Sequence, residues 1–284
     1  MKTLIRNLAV LFGAAALTTA PALAAEGEAH APEAHEWTWD GPLGRFDRAQ
    51  LQRGFQVYQE VCASCHALEQ ISFRNLAEGE GPFTCFPDPD AHEEDGHHAE
   101  PICYDNPNDN PIILQLASGY QVEDGPDDAG DMFERPGIPA DPFPAPFANE
   151  QQARASNGGA YPPDLSLIVK ARGGGANYVR SLLLGYHEAP AGTDVRPGLH
   201  YNEYFPGGQI AMAPPLMDGL VTYADDTEAT TEQMAEDVVA FLAWASDPHR
   251  VERNRLGLMV MIYFLIFAVL LWFAYKQVWS RVEH

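Results

Sequence analysis

The feature that most restricts the fold of this 284-residue chain is a long uncharged run near its C-terminus. The run, Leu256–Tyr275, reads LGLMVMIYFLIFAVLLWFAY. At a rise of about 1.5 Å per residue, a helix of this length covers about 30 Å, the thickness of the hydrocarbon layer of a bilayer. Trp272, Tyr275 and Trp279 lie near one end, as in the aromatic belt of a membrane helix. The run therefore predicts one transmembrane helix.

The N-terminus has the pattern of a secretory signal peptide. Lys2 and Arg6 precede an apolar run at Leu8–Leu17, and Ala22–Ala24 supplies a small-x-small cleavage site. We therefore expect residues 1–24 to be removed on export.

Charges on the two sides of the apolar run do not by themselves give its orientation. Three arginines precede the run, whereas Lys276 and Arg281 follow it. Export directed by the signal peptide would place residues 25–248 in the periplasm. The remaining residues, 249–284, would then form an anchor in a bacterial inner membrane with a short cytoplasmic tail.

The charge balance is strongly acidic, with 40 Asp and Glu against 17 Lys and Arg. This excess argues against a nucleic-acid partner and favours a cationic one. Residues 75–134 contain no Lys or Arg, and Pro and Gly recur along them. We interpret residues 78–134 as an acidic insertion, with Pro111–Ala117 as its helical candidate.

Helix signals elsewhere predict a mainly α fold with long irregular loops. Asp47 is a candidate N-cap, and apolar residues at helical spacing follow it: Leu51, Phe55, Tyr58 and Val61. Three further helices are predicted: one from Leu165 to Arg172 capped by Asp164, one at Tyr178–Leu184, and one that begins with a capping box of Thr230 and Gln233.

The motif that carries chemistry is EVCASCH, at residues 60–66. C-x-x-C-H is the attachment pattern of a c-type haem. Thiols at Cys62 and Cys65 can add to the two vinyl groups of the haem, and His66 can then bind the iron. The alternatives are a thioredoxin-like redox pair and half of a zinc site. The strand–helix context of the first is missing, and Cys85 and Cys103 do not repeat the spacing of the second.

A methionine as sixth ligand would suit electron transfer. Met212 lies in QIAMAPP, where small neighbours and two prolines favour a rigid and uncrowded loop. It is the favoured candidate over Met217, and His187 and His200 are further possibilities. Met234 fits a helical core stripe instead, and Met132 lies in acidic loop sequence.

Four longer stretches resemble the cytochrome c1 family, the haem subunit of the quinol–cytochrome c reductase (the cytochrome bc1 complex), in its bacterial form. They are RGFQVYQEVCASCH (53–66), NGGAYPPDLSLIVKARGGGANYVRSLLLGY (157–186), YNEYFPGGQIAMAPPL (201–216) and EDVVAFLAWASDPHRVERNRLGL (236–258). The resemblance implies a class I cytochrome c-like haem domain that holds one covalently bound haem c.

The resemblance also implies roles for individual residues. Cys62 and Cys65 would bind the haem, with His66 and Met212 as axial ligands of the iron. Arg172 corresponds to a position that bonds a haem propionate, although a solvated cation at a helix end is the simpler interpretation of this residue. The remaining positions correspond to the haem edge and the pocket wall: Tyr178, Asn157, Ala160, Pro162, Pro163, Phe205, Ile210 and Pro215.

Residues 78–110 are unlike the parts of the family that match, and they contain the two remaining cysteines. We predict a Cys85–Cys103 disulfide, because an exported protein rarely keeps free thiols. A metal site that uses His92, His97 and His98 is the alternative, but the spacing of these histidines is loose.

The resulting functional hypothesis is an electron carrier without a catalytic residue of its own, within an oxidoreductase complex. By resemblance, the chain would work beside cytochrome b in a dimeric membrane complex. It would accept electrons from a Rieske iron–sulfur protein and pass them to a soluble cytochrome c. Another membrane-anchored c-type cytochrome is the main alternative, against which the long gap between His66 and Met212 argues. A haem enzyme or gas sensor with an open iron position, and a purely structural disulfide protein, are the others.

Overall fold

The computed structural model describes residues 29–86 and 101–281, so the predicted signal peptide at residues 1–24 lies outside the described residues. The helices are α1 (Arg48–Val57), α2 (Pro111–Ser118), α3 (Glu150–Ser156), α4 (Ile168–Ala171), α5 (Gly175–Leu184), α6 (Thr231–Ala245) and α7 (Arg250–Trp279). Short 3-10 helices lie at Phe73–Ala77 and Pro107–Asp109. The two-stranded antiparallel pairs are β1–β2 (Cys85–Phe86, Ile102–Cys103), β3–β4 (Gln121–Asp124, Phe133–Pro136) and β5–β6 (His200–Tyr201, Gln209–Ile210). The prediction of a mainly helical fold with long loops and one apolar C-terminal helix is confirmed.

Helix α1 begins at the predicted cap and leads into the C-x-x-C-H motif. The Asp47 side chain accepts a hydrogen bond of 2.9 Å from the backbone N–H of Gln50. Beyond Val57 the chain continues as a π-helix over Tyr58–Cys62. The predicted apolar stripe faces the core, where Leu51 is fully buried.

Helix α6 packs across α1 at the centre of the core. Gly54 lies against the backbone of Asp237, where any Cβ would collide with the carbonyl oxygen, so the two helices approach closely. The Phe241 ring lies 5.5 Å from the Phe55 ring and 5.7 Å from the Tyr58 ring. The contact between α1 and α6 therefore supports the base of the motif.

The predicted capping box of α6 is only half formed. The Thr230 hydroxyl accepts a hydrogen bond of 3.1 Å from the backbone N–H of Gln233. The Gln233 side chain does not accept the return bond, because the N–H of Thr230 donates to the carbonyl of Glu228 at 3.0 Å. The Gln233 amide donates instead to the Asp237 carboxylate at 2.9 Å.

The predicted helix at Leu165–Arg172 is wrong in length, since α4 covers only Ile168–Ala171. Asp164 does accept a hydrogen bond of 2.7 Å, but from the N–H of Ser166 in a tight turn. The N–H of Leu165 donates to the carbonyl of Ala67 at 2.9 Å. These contacts tie the segment to the residue directly after the C-x-x-C-H motif, and the helix therefore starts later than predicted.

Helix α5 begins three residues before the predicted start at Tyr178. Gly174 and Gly175 have φ values of +86° and +57°, which the absence of a Cβ permits. The glycine run thereby turns the chain sharply and starts α5 directly.

The acidic insertion contains more structure than its composition predicted. Helix α2 lies within one residue of its predicted bounds, and the buried Asn110 caps it. The β3–β4 hairpin was not predicted, because its residues are polar and mostly exposed. Cys85 and Cys103 are joined by a disulfide with an S–S distance of 2.05 Å. The alternative metal site at His92, His97 and His98 lies outside the described residues.

Helix α7 contains the apolar run and begins directly after the Asp247–Pro248 break. It has 30 residues and is long and apolar enough to cross a membrane. Its apolar span carries no buried residue. An apolar surface of this extent is what a lipid-facing helix presents.

Candidate functional site

The C-x-x-C-H motif forms a single compact turn at the end of the π-helix. The backbone N–H groups of Cys65 and His66 both donate to the carbonyl of Cys62, at 3.1 and 2.9 Å. Both motif cysteines are free thiols in the structure. Their sulfurs are therefore available for two thioether bonds.

The imidazole of His66 is held by a backbone carbonyl. Its Nδ1 lies 2.8 Å from the carbonyl oxygen of Pro163, which can only accept a hydrogen bond. The proton therefore resides on Nδ1, and the lone pair of Nε2 is available to a metal. Burial lowers the pKa of His66, while the bond to Pro163 and the charge of Asp164 act in the opposite direction. The neutral ring is the form that binds iron.

Cys62 packs against the hydrophobic core, whereas Ser64 between the two cysteines is exposed. Burial, with a smaller contribution from Cys65, raises the pKa of the Cys62 thiol to about 12. The position thus disfavours a charged thiolate and suits an uncharged thioether. It is also unlike the lowered pKa of a reactive redox cysteine.

The loop that supplies Pro163 is organised by its own hydrogen bonds. Asn157 donates its side-chain amide to the carbonyl of Ala153 at 2.7 Å, and Ala160 donates its N–H to the carbonyl of Asn157 at 3.0 Å. Asn157, Ala160 and Pro162 are half-buried. These three residues lie on the loop whose Pro163 carbonyl holds His66. This is the loop on which we predict that they form the pocket wall.

Arg172 is a cation without a carboxylate partner among residues 29–86 and 101–281. Its guanidinium donates one hydrogen bond there, to the carbonyl of Ala171 at 3.4 Å. The charge of Arg172 acts on the hydroxyl of Tyr178, whose pKa is nevertheless raised by burial. Helix α4 has four residues, so its dipole gives little reason for a cation at its end. In a chain of net charge −23, an unpaired guanidinium fits a ligand carboxylate.

Met212 lies two residues after strand β6, at a bend of the chain. Its side chain is half-buried, and its carbonyl accepts a hydrogen bond of 3.1 Å from the hydroxyl of Tyr186. The other candidate sulfurs are either strongly exposed, at Met217 (63%) and Met132 (55%), or fully buried in the core, at Met234. Among these four residues, Met212 has the intermediate exposure expected of a ligand in a pocket wall.

The remaining predicted residues surround this segment. Ile210 pairs with His200 across β5–β6, and Phe205 closes the turn between these strands by accepting from the N–H of Gly208 at 2.8 Å. Pro215 stiffens the chain after Met212. The candidate ligand His187 lies 3.5 Å from the carboxylate of Glu203 instead.

The described donor set fits a c-type haem better than a zinc ion. A zinc site would need two further ligands, but Cys85 and Cys103 are bonded to each other. No cluster of three His, Cys, Asp or Glu residues suitable for a metal occurs in the described part of the chain. The free thiols, the oriented imidazole of His66 and the unpaired Arg172 match the needs of a haem, its iron and its propionates.

Two contacts at the site were not anticipated from the sequence. Pro163 acts through its carbonyl on His66 and not only as an apolar wall. Tyr186 was given no role, although it stands directly after the glycine that ends α5. An aromatic hydroxyl at such a position gives no periodic signal that would reveal its acceptor.

Comparisons with known proteins found similarity over most of the chain. Residues 37–282 match the model of the Cytochrome C1 family. Cytochrome c1 of Rhodospirillum rubrum is 40% identical over 300 residues, covering 100% of both chains. A protein of Arabidopsis thaliana named "Cytochrome c1 1, heme protein, mitochondrial" is 44% identical, over 98% of this chain and 83% of that protein. The chain is also 46% identical to "Cytochrome b/c1" of Bradyrhizobium diazoefficiens, of which it spans only 36%.

Proposed function

Because the chain belongs to the cytochrome c1 family, we propose that it is the haem-bearing electron-transfer subunit of a quinol–cytochrome c reductase. The observation that carries this proposal is the hydrogen bond from His66 Nδ1 to the Pro163 carbonyl beside two free thiols. That arrangement prepares one nitrogen to bind iron and two sulfurs to bind a porphyrin edge.

The chain's own residues would hold and shield the cofactor. Cys62 and Cys65 would form the thioether links, and His66 and Met212 would bind the iron. Arg172 and Tyr178 hold the propionate edge by hydrogen bonds. When bound, the haem supplies a one-electron couple, whose potential a methionine ligand raises. An iron bound by both His66 and Met212 would leave no site for a substrate, so the subunit would carry electrons without catalysis of its own.

The proposed partners follow from the family and from the charge. The chain receives electrons from a Rieske iron–sulfur protein, sits beside cytochrome b in a dimeric complex, and reduces a soluble cytochrome c. The β3–β4 hairpin offers an exposed acidic surface, with Asp127, Asp128 and Asp131 at its turn. Its nearest cation, Arg135, is already paired with Asp124 and Asp141. The hairpin therefore keeps a net negative charge that suits a basic partner.

The proposed topology places residues 25–248 in the periplasm and anchors them through residues 249–284. Helix α7 supports the anchor by its length and its exposed apolar surface. Green fluorescent protein fused after His284 tests the orientation, because it becomes fluorescent in the cytoplasm but not after export in unfolded form. A dark fusion of normal abundance would contradict a cytoplasmic C-terminus.

Affinity purification from solubilised membranes tests the assignment to the complex. We expect a tag on this chain to recover a b-type cytochrome and a Rieske protein, with quinol–cytochrome c reductase activity. Recovery of a haem-bearing chain without these two subunits would instead support another membrane-anchored c-type cytochrome.

Stopped-flow reduction of a basic cytochrome c tests the acidic docking surface. Neutralising Asp127, Asp128 and Asp131 to Asn should lower the association rate constant and flatten its dependence on ionic strength. Asp128→Asn alone is compared with Glu252→Gln, which removes one negative charge from another exposed acid, at the membrane end of the chain. Equal effects of these two single substitutions would contradict docking at the hairpin.

A further inference from the structure

The segment that carries Met212 has almost no hydrogen-bonded support of its own. Within the described residues, positions 211–216 take part in one hydrogen bond, from the Tyr186 hydroxyl to the Met212 carbonyl at 3.1 Å. Pro214 and Pro215 have no N–H group to donate. The pairing of β5 with β6 ends before this segment, at Ile210. Apart from Leu216, which packs in the hydrophobic core, the segment is therefore anchored by a single hydrogen bond, and this bond acts directly on Met212.

Tyr186 is itself held firmly. It follows α5 and forms an isolated β-bridge with Asn202, a residue with no exposed surface. The Asn202 amide donates to the carbonyl of Leu182 at 2.7 Å, and its backbone N–H donates to that of Gly208 at 3.0 Å. The neighbouring Gly185 lies so close to the Tyr204 ring that a Cβ there would collide with it. The hydroxyl is thus presented by a rigid support.

The direction of this hydrogen bond is fixed by chemistry. A carbonyl oxygen can only accept, and a phenol, whose ordinary pKa is about 10, carries its proton at neutral pH and can donate it.

We propose that Tyr186 is a positioning residue that sets the approach of the Met212 sulfur to the iron through its hydrogen bond to the Met212 carbonyl. This inference rests on the proposed function and deepens it. A thioether is a weak ligand, so its bond to iron depends on being held in place by the surrounding chain. Without the hydroxyl, the segment is free to move outward. The free-energy difference that favours iron bound by the Met212 sulfur over iron without this ligand (the open state) then becomes smaller.

The expected change follows from the energy of one neutral hydrogen bond. Such a bond contributes about 1 kcal/mol, and about 1.4 kcal/mol corresponds to a factor of ten. Tyr186→Phe should therefore increase the open fraction of the iron about fivefold. Because methionine ligation raises the reduction potential, the same variant should have a lower midpoint potential.

The experiment compares Tyr186→Phe with Tyr201→Phe in the assembled membrane complex. Tyr186 and Tyr201 line one cleft of about 450 Å³ beside strand β5. Tyr201 is the matched control, since its hydroxyl makes no hydrogen bond within the described residues. For Tyr186→Phe we expect a weaker sulfur-to-iron charge-transfer band in the oxidised protein. We also expect faster carbon monoxide binding by the reduced protein and a lower midpoint potential. Tyr201→Phe should match the wild type in all three.

A second comparison separates action through Met212 from general destabilisation. In a Met212→Ala background, adding Tyr186→Phe should change carbon monoxide binding no further, because the sulfur is already absent. An equal additional effect in that background would overturn the inference. So would a Tyr186→Phe protein that behaves like the wild type, or one that lacks covalent haem, since the thioether links do not depend on Met212. Absence of haem from the wild-type chain would instead refute the proposed function.

Discussion

The Nδ1 atom of His66 lies 2.8 Å from the carbonyl oxygen of Pro163, a residue 97 positions further along the chain. Asp164 keeps this carbonyl in place. One of its carboxylate oxygens accepts from the N–H of Ser166 at 2.7 Å, and the other accepts from the N–H of Glu69 at 2.9 Å. The loop is thus tied to the chain directly after the motif, and the orientation of the imidazole depends on it.

Asp164→Ala should raise the midpoint potential of the haem. Loss of both acceptors lets the Pro163 carbonyl move away from His66, and an imidazole that no longer donates is a poorer electron donor to iron. Redox titration of the purified complex measures the shift. Pro163→Ala is the control, since it keeps the carbonyl and should stay near the wild-type potential. A larger shift in Pro163→Ala than in Asp164→Ala would contradict this role.

Asp237→Asn should destabilise the haem domain by about 1.5–3 kcal/mol, the usual contribution of hydrogen bonds to a charged group, because Arg53 keeps Asp225 as its second partner. The fully buried Asp237 carboxylate lies 2.9 and 3.2 Å from nitrogens of Arg53, and this pair joins α1 to α6. Chemical unfolding of the full chain in detergent measures the loss. Asp225→Asn is the matched control: its carboxylate also contacts Arg53, but it is 42% exposed and should cost about 0–1 kcal/mol. Equal losses in the two variants would count against this account.

Because of the Arg135–Asp141 pair, the free energy of unfolding should decrease as the pH falls into the acid range. Two hydrogen bonds from Arg135, at 2.7 and 3.0 Å, lower the pKa of Asp141 below its usual value of 3.8. A lowered folded-state pKa contributes stability above the unfolded pKa, and this contribution disappears as the pH falls through the folded value. Melting temperatures between about pH 5 and pH 3 should therefore fall less steeply for Arg135→Gln than for the wild type.

Arg154→Gln is the control for that comparison. Arg154 forms an exposed pair with Glu150 on α3, and such pairs contribute little to stability. Its melting curve should run parallel to that of the wild type. Parallel curves for Arg135→Gln as well would show that Asp141 does not account for the acid dependence.

Replacing Cys85 and Cys103 together by Ser should lower the free energy of unfolding by about 3 kcal/mol, because the disulfide restricts the unfolded chain. The two cysteines lie 18 positions apart. Covalent haem content should not change, since Cys62 and Cys65 are separate from this pair. Loss of covalent haem from the double variant would contradict the assignment of Cys85 and Cys103 to a structural disulfide that is separate from haem attachment.

The helices with strong local signals were predicted from the sequence within one or two residues. Asp47 and Thr230 cap α1 and α6 as expected, because a side-chain oxygen beside an apolar stripe is a local signal. The extent of α4 was wrong, because Asp164 and Leu165 use their hydrogen bonds on the distant C-x-x-C-H turn. Contacts between segments so far apart leave no periodic trace in the sequence.

In the candidate site, too, residues that are adjacent in the sequence were predicted, whereas contacts between distant segments were not. Cys62, Cys65 and His66 are adjacent, so their spacing alone predicts a haem. The partners that orient the ligands, the Pro163 carbonyl and the Tyr186 hydroxyl, come from loops that only the fold brings near. A backbone carbonyl has no signature in the sequence, since every residue has one.

The most direct test of the central claim is whether this chain keeps its haem after acid–acetone extraction. The account predicts one haem per chain in the protein fraction, with the pyridine haemochrome spectrum of a haem whose two vinyl groups are saturated. Replacing Cys62 and Cys65 together by Ala should move all the haem into the acetone fraction. A wild-type chain that is colourless after extraction would contradict the account.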